Sequence, residues 1–325
     1  MGDIVDELGN YMPVPGNGRA KRARIDREGN LVSGGDVYAY NKLVVPPVRY
    51  KVNGEIIDSV LAYGAVADGT SPTPTDNTNA FQTALASNCS IFVPAGTYYF
   101  ASTLTIPVGK ILRGCGNTVL TFDNNAVNFV CVQMSGNAVL TTMAIAYTGT
   151  NTTTSVLINM PQQTSVIEDI SSRSSERAAY GITITTTLNG GYNSIRTCFI
   201  YAIISGLVIS GSAVRDATIL GNVFVNDSTS PVVDIQATTD GSGCTFVSNT
   251  LVGAAGADGY NIEKPVQIFG GRSQVQGGGA TIAGAAISTS IIIVDGIDKF
   301  LNLPAILPAS SGAAWNNAGV VNIVP

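Results

Sequence analysis

Acidic side chains are the residues of this sequence that could carry out hydrolytic chemistry on sugars. Cleavage of a glycosidic bond needs two carboxyl groups, about 5–5.5 Å apart when configuration is retained and about 6.5–9.5 Å apart when it is inverted. Glu168 and Asp234 are the first candidates for catalytic groups of this kind. Asp169, the neighbour of Glu168, is instead predicted to align with three residues at a corner where stacked polar side chains satisfy backbone groups: Cys198, Asn222 and Asn249.

The remaining acids in the same region fall in predicted turns, where aspartate bonds to its own backbone: Glu176, Asp216, Asp227, Asp240 and Asp258. The sequence therefore predicts no stacked pair of carboxylates. This absence favours binding of a glycan over its cleavage. A pair assembled between subunits is an open alternative.

Tyrosine side chains could bind sugars by stacking on their rings, and the alternative is that they pack at corners: Tyr180, Tyr192, Tyr201 and Tyr260. The absence of histidine rules out His-based triads and His metal sites within this chain. The five cysteines show no metal-ligand spacing and are predicted to be buried, reduced thiols made in a cytoplasm. We expect neither a metal nor a cofactor.

A recurring strand pattern must position these residues. A strand of the form apolar-x-apolar returns seven times, and its last residues are 26, 26, 25, 26, 33 and 25 positions apart. Parallel strands stacked at about 4.8 Å, one per turn of a coil, explain such a period. The pattern predicts an inward apolar column: Val132, Ile158, Ile184, Ile209, Ile235, Ile268 and Ile293.

Alternation along each strand points its middle residue outward. The resulting outward column is partly apolar, which a lone soluble coil would not favour: Cys131, Leu157, Thr183, Val208, Asp234, Gln267 and Ile292. We therefore expect neighbouring subunits to cover part of this face. The single long interval predicts about seven extra residues, which form a surface loop near 253–263.

The stretch 63–116 combines turn formers, one helix and short strands. An amphipathic helix is predicted in it, with Asp76 accepting from free N–H groups and with one apolar stripe formed by Phe81, Ala84 and Leu85. Four blocks of this stretch resemble the entry segment of pectin-lyase-like right-handed parallel β-helices, in the version common in bacteriophage tailspikes: Y63-G-A-V-A-D-G, T75-D-N-T-N-A-F-Q, V93-P-A-G-T-Y and L112-R-G-C-G. The resemblance implies that fold and a trimeric assembly, and it leaves the chemistry open.

Lyase chemistry would need clustered acids for calcium and an arginine or lysine base. Arginines are present in the coil without clustered acids, which argues against a pectate-lyase mechanism: Arg173, Arg177, Arg196 and Arg215.

The first fifty residues differ from the rest because five basic residues occupy nine positions from 19 to 27. They form either a solvated arm or a segment that orders on docking to a virion, through Arg19, Lys21, Arg22 and Arg24. A strand over 36–45 and a hairpin over 48–57 with its turn at Asn53-Gly54 are predicted next.

The charge and hydropathy of the chain narrow the remaining classes of function. The acidic start lacks the apolar core of a secretory signal, and no apolar run approaches the length of about 20 residues that spans a membrane. A net charge of −5 argues against a nucleic-acid partner.

Together these features predict an all-β, right-handed parallel β-helix with a short N-terminal capping α-helix, assembled as a homotrimer. Residues 1–50 are the attachment arm, 51–295 the β-helix with capping segment 63–116, and 296–325 a small C-terminal cap. The predicted function is that of a phage tailspike, made in the host cytoplasm and located in the virion tail. It would dock on a tail, adaptor or baseplate protein and recognise host surface polysaccharide.

Binding of the polysaccharide would use Tyr180, Tyr192 and Tyr260 as glycan-binding residues. Two other functions stay in view. A depolymerase would also cleave the polysaccharide, with Glu168 and Asp234 as catalytic residues. A free cellular pectin-lyase-like enzyme is disfavoured by the basic arm and by the missing leader.

Overall fold

The computed structural model describes the central part of the chain almost throughout and the two ends only as short strands. The described residues are 55–172, 175–185, 192–210, 214–236, 244–276, 282–285 and 290–293, with isolated strands before 53 and after 313. The chain divides into two compact units, Met1–Pro46 and Pro47–Pro325.

Two antiparallel hairpins form the described part of the first unit. β1 (Gly2–Val5) pairs with β2 (Tyr11–Val14), and β3 (Arg24–Ile25) pairs with β4 (Leu31–Val32). Of the basic residues expected to attach to a virion, Arg24 thus lies on a strand. The others and one predicted strand lie outside the described residues: Arg19, Lys21, Arg22 and 36–45.

The second unit begins with the predicted hairpin. β5 (Arg49–Val52) and β6 (Glu55–Ser59) pair antiparallel, with Val52 opposite Glu55. The pairing confirms the hairpin and leaves a two-residue connection, although Asn53 and Gly54 themselves lie outside the described residues. β6 then pairs in parallel with the first strand of the coil, so the hairpin extends the edge of its sheet.

A 3₁₀ helix (Val60–Tyr63) and the helix α1 (Thr78–Ser87) come before the coil. The Phe81 ring meets two aromatic rings edge-on, with centroids 5.5 Å from Tyr98 and 4.9 Å from Phe100. The predicted apolar stripe of α1 is fully buried: Phe81, Ala84 and Leu85.

The N-cap of α1 is Asn77, one residue after Asp76, which was the predicted capping residue. The Asn77 side chain makes no cap hydrogen bond and instead accepts from the Val66 N–H at 2.7 Å. Asp76 still accepts from the Thr78 N–H at 3.0 Å, as predicted for a free first-turn donor. Burial opposes ionisation of Asp76, but hydrogen bonds from Thr78 and Ala101 outweigh it and lower the pKa of the carboxyl.

The coil has three faces of parallel strands, each visited once per turn, which is a parallel β-solenoid of the right-handed type. Face I consists of β7 (Ser90–Val93), β10 (Ile111–Gly114), the first halves of β13 (Val139–Tyr147) and β15 (Val166–Ser172), β17 (Ser194–Arg196), β20 (Thr218–Leu220), β23 (Thr245–Val247), β26 (Gln267–Phe269) and β29 (Ile291–Ile293). Face II consists of β8 (Gly96–Phe100), β11 (Thr118–Phe122), the second halves of β13 and β15, β18 (Phe199–Ala202), β21 (Val223–Asn226), β24 (Thr250–Ala255) and β27 (Arg272–Gln276). Face III consists of β9 (Leu104–Ile106), β12 (Val130–Met134), β14 (Val156–Met160), β16 (Tyr180–Ile184), β19 (Ser205–Ile209), β22 (Val233–Ile235), β25 (Tyr260–Ile262) and β28 (Ile282–Ala283).

The predicted inward column is correct in kind and partly wrong in register. On face III, Ile158 pairs with Ile182 rather than with Ile184, so two inward columns run side by side. One inward column is Leu104, Val132, Ile158, Ile182, Leu207, Val233 and Tyr260. The other inward column is Ile106, Met134, Met160, Ile184, Ile209, Ile235 and Ile262. Ile268 and Ile293 belong to face I instead.

The loop predicted near 253–263 is also wrong. This segment contains the end of β24 and the whole of β25, which pairs in register with β22. The interval from Ile235 to its true successor Ile262 is therefore regular. The interval of 33 arose because the next recognised apolar pair lies on a different face.

A left-handed residue occupies the same corner between faces I and II in six successive turns, as the strand register shows. These residues have φ between 51° and 65° and are Thr142, Asp169, Thr197, Gly221, Ser248 and Gly270. Asp169 thus belongs to this corner, one position before the column in which it was predicted.

That next column is a ladder of buried amides. The Asn222 amide donates to Ile195 O and to Asn249 Oδ1, both at 3.0 Å, and Asn222 Oδ1 accepts from the Cys198 N–H at 2.9 Å. Buried backbone groups at the corner are satisfied in this way, which lets the chain turn sharply without losing hydrogen bonds.

After the coil, the described residues show one hairpin, β30 (Ala314–Asn317) with β31 (Val320–Ile323).

Candidate functional site

The outward side of face III presents a column of polar side chains. Alternation along the strands places amide and hydroxyl groups here, opposite the inward aliphatic residues. The column, called the first column below, consists of Gln133, Asn159, Thr183, Val208, Asp234 and Asn261. Two residues predicted to point outward, Cys131 and Leu157, are instead buried in the core. The third apolar member, Val208, is outward in register but only 6% exposed.

Hydrogen bonds connect the upper rungs of the first column. Asn159 Nδ2 donates to Gln133 Oε1 at 3.1 Å, and the Thr183 hydroxyl donates to Asn159 Oδ1 at 2.8 Å. The Thr185 hydroxyl donates to the same Asn159 oxygen at 2.9 Å. These bonds hold the side chains in fixed orientations, which is the preorganisation that a binding surface needs.

Asp234 is oriented by two amides. Its Oδ1 accepts from Asn261 Nδ2 at 2.8 Å, and its Oδ2 accepts from Gln236 Nε2 at 3.0 Å. The carboxylate is half-buried on the outward side of β22. It therefore stands in a fixed position with lone pairs left to accept further hydrogen bonds.

Glu263 is a second acid beside Asp234 that the sequence interpretation missed. The Glu263 N–H donates to Ile235 O at 3.0 Å, which continues the register that sets Asn261 opposite Asp234. Glu263 therefore lies opposite Gln236 and diagonally from Asp234. Strand spacing and rise place the Cα atoms of such diagonal neighbours about 8 Å apart.

The register error explains why Glu263 was missed. With 253–263 interpreted as a loop, no strand position was available for this residue. The signal in the sequence was Tyr260-Asn261-Ile262, an apolar-x-apolar strand whose first member is aromatic rather than aliphatic.

Glu168, the other predicted catalytic acid, lies on a different face from Asp234. It sits on the face I half of β15, between Thr141 and Arg196 in the neighbouring strands. The structure therefore does not bring Glu168 and Asp234 together within this chain.

The three predicted glycan-binding tyrosines have different environments. Tyr260 is 3% exposed and packs edge-on against Phe246, so it cannot stack on a sugar and that prediction is corrected. The Tyr260 ring lies in the inward column of face III that begins at Leu104, and burial raises the pKa of its hydroxyl. Tyr192 is 65% exposed just before β17. Tyr180 is half-buried at the start of β16, the strand that carries Thr183.

Tyr201 belongs to a cluster with Arg177 and Asp227 at the corner between faces II and III. The Arg177 guanidinium lies 4.7 Å from the centre of the Tyr201 ring and bonds to Asp227, and the Tyr201 hydroxyl donates to Asp227 at 2.7 Å. This bond and burial raise the pKa of Tyr201. Burial opposes ionisation of Asp227, but its bonds to Tyr201 and Arg177 outweigh it and lower the pKa of Asp227. The three side chains satisfy one another, so the cluster ties successive turns together.

The cysteines match their prediction in part. Three are buried as expected, and burial raises the pKa of the Cys198 thiol to about 12. Cys89 and Cys115 are exposed, contrary to the prediction.

Within the described residues, no group of three His, Cys, Asp or Glu side chains is arranged to hold a metal ion. In the same part of the chain, every helix is too short or too polar to cross a bilayer.

Two known phage proteins are similar to parts of this chain. The pre-neck appendage protein of Bacillus phage B103 is 38% identical over 66 residues, which are 20% of this chain and 7% of that protein. The chain thus matches only a small fraction of that relative. The crystal structure of pre-mature gene product 12 of bacteriophage phi29 has a TM-score of 0.53 at 19% identity, covering 66% of this chain and 32% of that one. This likeness concerns the fold.

A family profile covers most of the coil. The profile described as rhamnogalacturonase A/epimerase, pectate lyase-like matches residues 57–294, which include α1 and all strands of the three faces. Because the match extends over well more than half of the sequence, the chain belongs to the rhamnogalacturonase A/epimerase, pectate lyase-like family.

Proposed function

We propose that this chain is a bacteriophage tail protein that binds a host surface polysaccharide through the outward side of face III. The observation that carries the proposal is the preorganised column of amides, hydroxyls and one carboxylate. Such groups both donate and accept hydrogen bonds, which matches the hydroxyl-rich surface of a glycan. The successive rungs repeat at about 4.8 Å, so an extended chain meets the same chemistry at several points.

The phage part of the proposal is supported by the similar proteins. Both the appendage protein of phage B103 and gene product 12 of phage phi29 come from bacteriophages. Weak contacts at single rungs suffice for such a protein, because linked sites raise avidity by about 10²–10⁴.

Removal of one amide from the column is expected to weaken polysaccharide binding. The variant Asn159→Ala deletes the group that connects Gln133 with Thr183 and Thr185. We expect a loss of about 2–10-fold in affinity, the value of one neutral hydrogen bond, measured by calorimetry with purified host polysaccharide. Asn79→Ala, an exposed asparagine on α1, is the matched control and should bind like the parent. Equal affinities for all three proteins would place the binding surface elsewhere.

We propose further that the chain forms a homotrimer. The sequence argument for covered apolar residues on face III no longer holds, but Phe199 and Leu220 are 44% and 39% exposed on faces II and I. Contact between copies would remove this apolar surface from water. Light scattering at micromolar concentration should give three times the mass of one chain, and a monomer would contradict the trimer.

We also propose that α1 closes the N-terminal end of the apolar core. The buried stripe of Phe81, Ala84 and Leu85 supports this role.

Attachment to the virion tail is proposed for residues 1–50, with assembly in the host cytoplasm. Basic side chains concentrated in this segment support a charged docking surface: Arg19, Lys21, Arg22 and Arg24. The full chain should retain a tail, adaptor or baseplate protein in a pull-down from phage-infected cells. Alanine at all four positions should reduce that retention, and undiminished retention would contradict their role.

A second candidate function is cleavage of the bound polysaccharide. The observation that favours it is the diagonal placement of Asp234 and Glu263, whose backbone positions are about 8 Å apart by strand geometry. Inverting hydrolases hold their two carboxyl groups about 6.5–9.5 Å apart, a separation that side chains from two such positions can reach. The sequence argument against cleavage rested on the lack of a stacked pair of carboxylates, and this diagonal pair supports the alternative.

A further inference from the structure

We infer that face III selects an uncharged polysaccharide over a polyanionic one. The inference rests on the proposed function, because it concerns the same surface. It adds the chemical class of the glycan for this chain, and that class differs from the acidic pectate in the description of the family.

Two outward columns define the charge of this surface. The first column holds one ionisable group, Asp234. The second column follows two residues later in each turn, where every member except Pro161 donates its backbone N–H to the preceding turn. Its members are half-buried and include one ionisable group, Glu263: Ser135, Pro161, Thr185, Ser210, Gln236 and Glu263. Across the described positions of both columns there are two carboxylates and no lysine or arginine.

A glycan that carries a carboxylate or phosphate on its repeating unit would bring negative charge against Asp234 and Glu263. Like charges at contact distance repel, and the repulsion is stronger at a partly desolvated protein surface than in bulk water. Recognition of such anions uses the fixed fork of arginine or the ammonium of lysine. The two columns supply neither.

Two basic side chains of the coil are engaged away from the columns. Arg177 bonds to Asp227 and lies over Tyr201. Lys110 Nζ donates to Asn88 O at 2.9 Å, at the entry end of the coil. Lys264 follows Glu263 in the corner after β25 and lies one position beyond the second column.

The uncharged groups of the columns suit a neutral glycan. The amides of Asn159, Gln236 and Asn261 each donate and accept. The half-buried Thr185 hydroxyl donates to Asn159 and has lone pairs left to accept from a sugar, whereas Thr183 is only 7% exposed and serves to orient Asn159. A carboxylate accepts from sugar hydroxyls without needing a counter-charge on the ligand. All members of the surface can thus be satisfied by hydroxyl groups alone.

The test compares two polysaccharide fractions from the same host, separated by anion exchange into a neutral and an acidic fraction. The full-length chain is titrated with each in buffer free of divalent cations, at about 0.02 M and about 0.5 M NaCl, where charge interactions are weakly and strongly screened. We expect at least tenfold tighter binding of the neutral fraction, with less than a twofold change between the two salt concentrations. The double variant Asp234→Asn, Glu263→Gln should gain at least fivefold in affinity for the acidic fraction.

The outcomes separate the failure of this inference from failure of the proposed function. Tighter binding of the acidic fraction, with an affinity that falls as salt rises, would overturn the selectivity while leaving a polysaccharide-binding protein. Binding to neither fraction by a chain with intact circular dichroism would overturn the function itself, and the selectivity with it. Neutral binding that is insensitive to Asn159→Ala would show that the glycan lies on another surface.

Discussion

Replacement of Ile209 by alanine should lower the free energy of unfolding by about 2–5 kcal/mol, the range for large-to-small substitutions in a packed core. Ile209 is fully buried on β19 and stacks between Ile184 and Ile235 of the adjacent turns. The interior of a coil cannot collapse around the lost atoms, because each turn is fixed by hydrogen bonds to the turns above and below. The cost should therefore lie toward the upper part of the range.

The measurement is urea unfolding followed by far-ultraviolet circular dichroism, or the ratio of unfolding rates if refolding is incomplete. Leu61→Ala is the matched control, since it removes the same number of carbon atoms from a side chain that is 49% exposed. The control should cost less than about 1 kcal/mol, because less apolar area is returned to water. Equal losses for the two variants would mean that the inward column does not carry the stability of the coil.

If the chain cleaves its polysaccharide, Asp234→Asn and Glu263→Gln should each lower the rate about 10²–10⁴-fold, the usual contribution of a positioned acid or base. One carboxyl group would protonate the leaving oxygen, and the other would activate a water on the opposite side of the sugar ring. The amides of Asn261 and Gln236 hold Asp234 in position for one of these roles. Release of reducing ends from purified host polysaccharide measures the rate.

Glu168→Gln distinguishes this pair from the one proposed from the sequence. Glu168 lies on face I beside Arg196, so its replacement should leave the rate unchanged if Asp234 and Glu263 act together. Loss of activity in Glu168→Gln but not in Glu263→Gln would instead support a site assembled between subunits. No reducing ends from the parent chain would leave binding as the function.

Local patterns in the sequence were sufficient to predict the class of fold. The period near 26 residues, the hairpin at Asn53-Gly54 and the buried stripe of α1 each depend on residues close together in the chain. Turn chemistry and alternation act over such short distances, so most of the strands could be predicted directly. The predicted polar corner was found as well, although Asp169 proved to lie one position away from the amide ladder.

The assignment of strands to faces needed the tertiary structure. Strands on faces I and III share the same apolar-x-apolar alternation, so the pattern of Val266-Gln267-Ile268 on face I looked like the successor of β22. The true successor, Tyr260-Asn261-Ile262, begins with a tyrosine whose ring is buried in the core and packs edge-on against Phe246 of the same turn.

The candidate site follows the same division. The sequence by itself determined a coil of short parallel strands with Asp234 on an outward position, because period and alternation are local properties. Only the pairing of β22 with β25 decided that Glu263 lies beside Asp234 and that Glu168 does not. The physical reason is that register is fixed by hydrogen bonds between turns about 26 residues apart, and a shift of register changes every neighbour across the sheet.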